Sequence, residues 1–344
     1  MLRYILQRIA LMLPTLLGVL TVAFAVVQFV PGGPVEQVMA EARSRSANTG
    51  GGYRARGDSD AKQIEALKKL YGFDKPVHVR YFEMLGNFAR FELGNSFMQN
   101  KPVWQLIKEK LPVSISLGLW TFVVSYLISL PLGIWKAVRE GSRFDAATTL
   151  AVLAGYAIPG FVLGVFLIVL FAGGSFWDVF PLRGLTSENW ATLSWPARVA
   201  DYFWHLALPL TCLVIGSFAT MTFLTKNTFI EEMRKQYVLV ARAKGLSQRR
   251  VLWKHIFRNA LIPLVTGFPA AFIGAFFTGA LLIETLFSLD GLGLLSYESI
   301  LRRDYPVVLG SLYLFTLLGL LVKLVSDVVY TVVDPRVQFG AVGR

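Results

Sequence analysis

Residues Ile9–Val30 read IALMLPTLLGVLTVAFAVVQFV, 22 positions without one charged side chain. Roughly 20 such residues are enough for a helix to cross a bilayer. Outward from this stretch the pattern repeats. Uncharged runs cover Pro112–Trp135, Ala146–Ala172, Leu206–Thr225 and Asn259–Ile283, and a last one from Tyr305 is uncharged to Val322 and continues to about Tyr330. Lipid offers no partner for backbone N–H and C=O groups, so only helices or closed barrels cross it. The runs are continuous rather than alternating, which rejects a barrel. The expected fold is an all-α integral membrane protein with six transmembrane helices.

The composition agrees. Of 344 residues, 54% are apolar and only 16% charged, against about 25% in ordinary soluble chains. The 26 Phe and 8 Trp exclude a disordered chain, and the single Cys212 excludes an internal disulfide. Arg3 and Arg8 before the first run resemble the basic start of a signal peptide. However, 22 apolar residues exceed the usual stretch of roughly 7–15, and the small-residue triplet Ala40-Glu41-Ala42 lies well past the run. The first run therefore reads as a retained helix.

The net charge of +12 could mark a nucleic-acid surface, but only if it formed one patch. It does not. Segments 1–8, 136–143, 226–258 and 331–344 carry +2, +2, +7 and +1, the whole net charge, and all four fall on one side if the runs alternate. This is the positive-inside pattern and orients the chain N-in, C-in, with no nucleic-acid partner.

Three regions follow: residues 1–30 with the first span, an exterior loop at 31–111, and a five-span core at 112–344 carrying the cytoplasmic segment 226–258. In the large first loop, 43–60 is rich in Gly, Ser and Arg and is expected to be mobile. Ala61–Tyr71 and Val77–Phe91 have helical patterning. The second exterior loop, Gly173–Phe203, contains Trp177, Trp190 and Trp195, residues that favour the headgroup level; it reads as a re-entrant or interfacial lid.

Catalytic patterns are missing. The sequence has no G-x-x-x-x-G-K-[ST], no H-E-x-x-H and no G-x-S-x-G. His78, His205 and His255 lie in separate connectors and, with one Cys, form no zinc spacing. The chain is expected to be no enzyme and to bind no cofactor or metal.

The most informative connector is Lys226–Arg258, KNTFIEEMRKQYVLVARAKGLSQRRVLWKHIFR. A helix runs into Ala241-Arg242-Ala243-Lys244-Gly245. Gly245 suits a left-handed C′ position, and Arg242 and Lys244 suit the negative helix end. Ser247 is a fit N-cap for the next helix. Such a basic elbow serves either as a patch meeting anionic membrane lipid or as a dock for a partner, whose surface small residues would let approach closely. The residues alone leave both open.

The elbow resembles the coupling loop of ATP-binding-cassette import permeases, in the form written by the peptide branch: Gln236-Tyr237-Val238, then Ala241 to Ser247, then Asn259 to Pro263. Further motifs agree in order: Pro31-Gly32-Gly33-Pro34, Tyr71–Pro76, Leu93-Gly94-Asn95-Ser96, Glu284–Leu289 with Gly291-Leu292-Gly293, Arg303–Val307 and Asp334-Pro335-Arg336. Within the branch, the aromatic second loop and Gly141–Asp145 are similar to the B-type permease of the importer used by microcin C. The general pattern has Glu-Ala where this chain has Leu239 and Val240.

The resemblance implies a type I importer permease fold in the bacterial inner membrane. It implies coupling to the ATPase through Gln236, Tyr237, Ala241, Arg242, Ala243, Lys244, Gly245, Leu246 and Ser247. It also implies a second homologous permease, ATPase subunits that hold ATP and Mg, a periplasmic peptide-binding protein, and oligopeptide as cargo.

Polar and small residues in the spans have two readings each. Pro14, Pro131, Pro159 and Pro269 can kink their helices for structure or as hinges. Gly160 and Gly164, and Gly267, Gly274 and Gly279, permit close helix packing. Glu284 either caps a helix or pairs with Arg302 or Arg303, or else lines the outer mouth of a path with Gly291 and Gly293. An ion-driven transporter would need ionisable residues within the spans, and these spans are nearly free of them. A receptor-like protein without transport leaves the elbow unexplained.

Overall fold

The computed structural model describes residues 2–29, 74–174, 176–277 and 281–333. Expectations for 31–73, including the mobile stretch, the Ala61–Tyr71 helix and the Pro31–Pro34 motif, lie outside the described residues, as do Gly279 and Asp334–Arg336. The described residues are helical apart from connectors and one isolated bridge, Asn95 to Pro102. Among the described residues, four helices are long and apolar enough to cross a membrane: Tyr4–Phe29, Val103–Val138, Trp195–Met233 and Tyr305–Val329. A bent pair, Arg143–Ala157 and Gly160–Phe171, makes a fifth if it is one span.

In chain order the elements are α1 (Leu2–Phe29), α2 (Val77–Ala89), α3 (Val103–Val138), α4 (Arg143–Ala157), α5 (Gly160–Phe171) and α6 (Trp195–Met233). Then come α7 (Gln236–Ala243), α8 (248–260), α9 (Ile262–Phe277), α10 (Leu281–Leu286), α11 (Leu292–Leu301) and α12 (Tyr305–Val333). Helix α9 is 16 residues long, about 24 Å of rise against a hydrocarbon core of about 30 Å. The expected single run to Ile283 is carried by α9 and α10, with 278–280 between them outside the described residues.

The chain forms two compact units. The first holds residues 1–110 and 295–320. Here Tyr81 of α2 meets α1, its hydroxyl 2.6 Å from Thr21 Oγ1 and its ring 5.3 Å from Phe24. Arg80 donates to Gln28 at 2.7 Å. Two motifs far apart in sequence come together. Buried Asp304 accepts from the Ser96 hydroxyl and, at 2.9 Å, from the Phe97 N–H. A Cβ on Gly310 would sit 3.0 Å from Val103 Cγ1 and 3.3 Å from Leu93 Cβ, so α12 approaches this knot at a glycine.

The second unit holds residues 111–294 and 321–344. One apolar cluster joins Leu117, Leu206, Cys212, Ile283 and Phe287. A Cβ on Gly160 would meet the Cys212 carbonyl oxygen at 2.8 Å, and one on Gly164 would meet Leu286 Cδ1 at 3.2 Å. The small face expected in the third span therefore packs closely on α6 and α10. Gly267 differs, with open space around its would-be Cβ. Of the four prolines, Pro159 interrupts its run: α4 and α5 meet there at 91°. Pro14, Pro131 and Pro269 stay inside continuous helices.

Among its described residues, the second exterior loop has a single helical turn at Trp190–Thr192, and its last part, from Trp195, is the start of α6. Its Ser187 N–H donates to Asp201 at 2.9 Å and the Trp190 indole donates to the Arg198 carbonyl at 3.1 Å, which fasten it to α6. Trp177 and Trp195 remain exposed.

Candidate coupling site

The site begins where α6 ends. Arg234 and Lys235 turn the chain, and α7 starts at Gln236. Val238 and Ala241 are buried, and with Phe229, Val251, Ile256 and Ala260 they form an apolar cluster that includes Ile134 and Ala137 of α3. The elbow is thus not a loose loop. It is a helical hairpin seated on the ends of two long helices.

Its turn follows the sequence expectation closely. Gly245 has φ +79°, the left-handed region that costs other residues roughly 1–2 kcal/mol. Its N–H donates to the Arg242 carbonyl at 2.9 Å, and the Leu246 N–H donates to the Ala241 carbonyl at 3.3 Å. These are the two bonds of a Schellman cap. Leu246 then packs onto the same apolar cluster. Ser247 caps α8, its hydroxyl accepting from the Arg250 N–H at 3.4 Å.

The expected site residues divide by face. Tyr237 is half-buried, and its hydroxyl donates to Glu232 at 2.7 Å. Burial pushes its phenol up, a hydrogen bond with Asn259 pulls it down, and Glu232 pushes it up again. Ala241 and Leu246 also serve the base. Gln236, Arg242, Ala243, Lys244, Gly245 and Ser247 are exposed. Two residues outside that set belong with them: Leu239 is 60% exposed and Val240 52%. Residues 236, 239, 240 and 243 have the i, i+3, i+4, i+7 spacing of one helix face. That spacing was the signal available in the sequence. An apolar face left open on a hairpin whose other face is packed is a surface suited to a partner.

A second feature lay beyond the sequence reading. Lys136 is fully buried. Its ammonium lies 3.0 Å from Asp145 Oδ1 and donates to the Asp145 carbonyl at 2.9 Å, Thr148 at 2.9 Å and Thr149 at 2.7 Å. Lys226 of α6 reaches the same carboxylate at 2.8 Å, and the Gly141 N–H adds a bond at 3.2 Å. One carboxylate therefore ties α3, α4 and α6 together. Glu140 meets Arg234 at 3.0 Å, joining this turn to the start of the elbow. A close approach completes it: a Cβ on Gly133 would sit 2.5 Å from Thr225 Cβ.

Glu284 lies elsewhere in the second unit and is 2% exposed. Its carboxylate accepts from the N–H groups of Leu294, at 2.7 Å, and Gly293. A Cβ on Gly291 would fall 2.6 Å from its Cδ. Ser114 accepts from the Leu292 N–H at 2.8 Å. Of the two readings, this is the helix cap: the glycines make room for a carboxylate at the start of α11, where a helix favours negative charge. Arg302 pairs with Glu298 instead.

Residues 129–339 match the family described as the binding-protein-dependent transport system inner membrane component. The chain belongs to this family. It is a multi-pass protein of the inner membrane with the importer permease fold. It is 53% identical over 98% of both chains to the peptidoglycan transport system permease protein YejB of Agrobacterium fabrum. It is 50% identical, with the same coverage, to the inner membrane ABC transporter permease protein YejB of Escherichia coli O157:H7. The di/tripeptide transport system permease protein DppB of Pseudomonas aeruginosa is 34% identical over 98% of this chain and 99% of its own. Among solved structures, an inward-facing MetNI methionine ABC transporter chain aligns with 67% of this chain and 97% of its own, with a TM-score of 0.50 and 16% identity. That likeness concerns the fold alone.

Proposed function

We propose that this chain is the B-type permease subunit of an ATP-driven importer that carries oligopeptides, including peptide-like antibiotics such as microcin C, across the bacterial inner membrane. It crosses six times, N-in and C-in, and pairs with a second, homologous permease to enclose the path. A periplasmic binding protein delivers the peptide. ATP and Mg are held by the ATPase subunits, and this chain carries out no bond chemistry. The permeases named for peptide transport that match nearly end to end support the cargo class.

The observation that carries the proposal is the open apolar face of α7 on a clamped base. The ATPase receives Gln236, Leu239, Val240 and Ala243, with the Gly245 turn at the tip. When ATP binding closes the ATPase pair, the hairpin moves with it. The buried contacts to α3 and α6 pass that motion on as a rigid-body shift, because packed cores switch between discrete arrangements rather than deform continuously. Glu284 meets no peptide in this scheme, since its carboxylate serves α11.

Replacing Leu239 and Val240 together with Glu tests the proposal. Both side chains are exposed, so the chain is expected to fold and reach the membrane. Peptide-stimulated ATP hydrolysis by the reconstituted complex is expected to fall at least tenfold, the effect of about 1.4 kcal/mol of lost docking. Unchanged stimulation would remove α7 as the contact.

A further inference from the structure

An open groove of about 780 Å³ lies beside the elbow, lined by Ser247, Arg249, Arg250, Trp253, Lys254, Phe257 and Arg258. Its side chains form two columns at four-residue spacing along α8: Arg249, Trp253 and Phe257, and Arg250, Lys254 and Arg258. The helix is wound as a π-helix over Val251–Ile256, a winding that is rare and often found at functional sites. Trp253 is half exposed, with its ring 5.1 Å from Phe257, whose own ring lies 6.0 Å from Phe229 of α6 and packs on the apolar cluster. The aromatic column is therefore anchored. No acidic residue lines the groove. Among the described residues none of the four cations is paired with a carboxylate.

We infer that this groove is a binding site for the phosphate-bearing headgroup of an anionic phospholipid in the cytoplasmic leaflet. Charge is the first argument. Four unopposed cations around one concavity are complementary to a phosphodiester, and arginine offers it paired donors. Position is the second. Only Leu261 separates α8 from the apolar helix α9, so Arg258 stands about 6 Å of helix rise from Ile262. The polar layer of a leaflet is itself about 5–8 Å deep. Arg258 thus falls at headgroup depth, and Lys254 and Arg250 can extend their long side chains back toward it. The third argument is Trp253, a side chain that favours the membrane–water boundary. Of the groove residues only Ser247 belongs to the coupling set, and none lies on the apolar face of α7, so lipid and ATPase can be held at once. The elbow would then answer both to its partner and to the leaflet's charge. This inference needs only the membrane location and is independent of the cargo.

The test uses the full chain purified in a neutral detergent. Native mass spectrometry counts phosphatidylglycerol and phosphatidylethanolamine retained from an equal mixture. Preferential retention of phosphatidylglycerol is expected, and the variant Arg250→Gln/Lys254→Gln/Arg258→Gln should lose it by roughly fivefold per cation. A phosphatidylglycerol probe with a photoreactive headgroup should label 249–258 in the unaltered chain, which keeps the test decisive if the variant misfolds. Equal retention of both lipids, or labelling elsewhere, overturns the site. Competition by inorganic phosphate at the same concentration as the lipid would mark a free-phosphate site and overturn it too. Loss of the ATPase from the variant complex with lipid retention unchanged would assign the groove to protein.

Discussion

Asp145 ties α3, α4 and α6 of the second unit to one carboxylate. It accepts from two lysines and a backbone N–H at once, while its own carbonyl receives Lys136. Replacing it with Asn would leave two ammonium groups without their counter-charge, one of them fully buried. Breaking a buried pair in this way costs about 3–5 kcal/mol. A lower thermal midpoint of the detergent-solubilised Asp145→Asn chain is therefore expected, and an unchanged midpoint would show the clamp to be dispensable. None of this was legible beforehand. Lys136 counted as a charge of the cytoplasmic connector, whereas its ammonium meets the carboxylate of Asp145, which also holds Lys226, 81 positions from that aspartate. Only folding brings α3, α4 and α6 to one oxygen pair. The sequence offers Glu284 both as a helix cap and as an outer-mouth residue with Gly291 and Gly293; which N–H groups it meets follows from the break between α10 and α11, which spacing alone does not specify.

At the scale of elements, local chemistry made the elbow readable. A glycine after a helix and a serine before the next act through bonds within a few residues, so sequence alone suffices. Gly245→Ala tests this reading of the turn. The site is open, with nothing within 4 Å of an added Cβ, so only the left-handed backbone resists. Destabilisation of about 1–2 kcal/mol is expected, measured by urea or thermal unfolding. A neutral effect would mean that the turn relaxes to another conformation. The third run shows the opposite case. It carries no charge, yet Ile158-Pro159 divides it into two helices at 91°. Proline restricts the residue before it and removes a donor, but α1, α3 and α9 tolerate Pro14, Pro131 and Pro269, and the sequence does not say which proline breaks.

For the whole molecule, the hydrophobic runs and the one-sided charge decide the architecture. Among the described residues, four helices meet the length and composition of a span, and a bent pair offers a fifth; six crossings and the N-in, C-in orientation are proposed. Cys212 is buried, so single added cysteines report topology against a silent background. In intact cells stripped of their outer membrane, Ser194→Cys is expected to react with an impermeant maleimide and Gln248→Cys only after lysis. The reverse pattern would invert the protein.

The proposed contact of the elbow with an ATP-hydrolysing partner is tested most directly by a photo-crosslinking amino acid placed at Val240 in native membranes. The expected product is an adduct with the ATPase subunit, with a yield that changes when ATP is added. Adducts confined to phospholipid, or reaction of that position from the outer face, would contradict coupling through this hairpin.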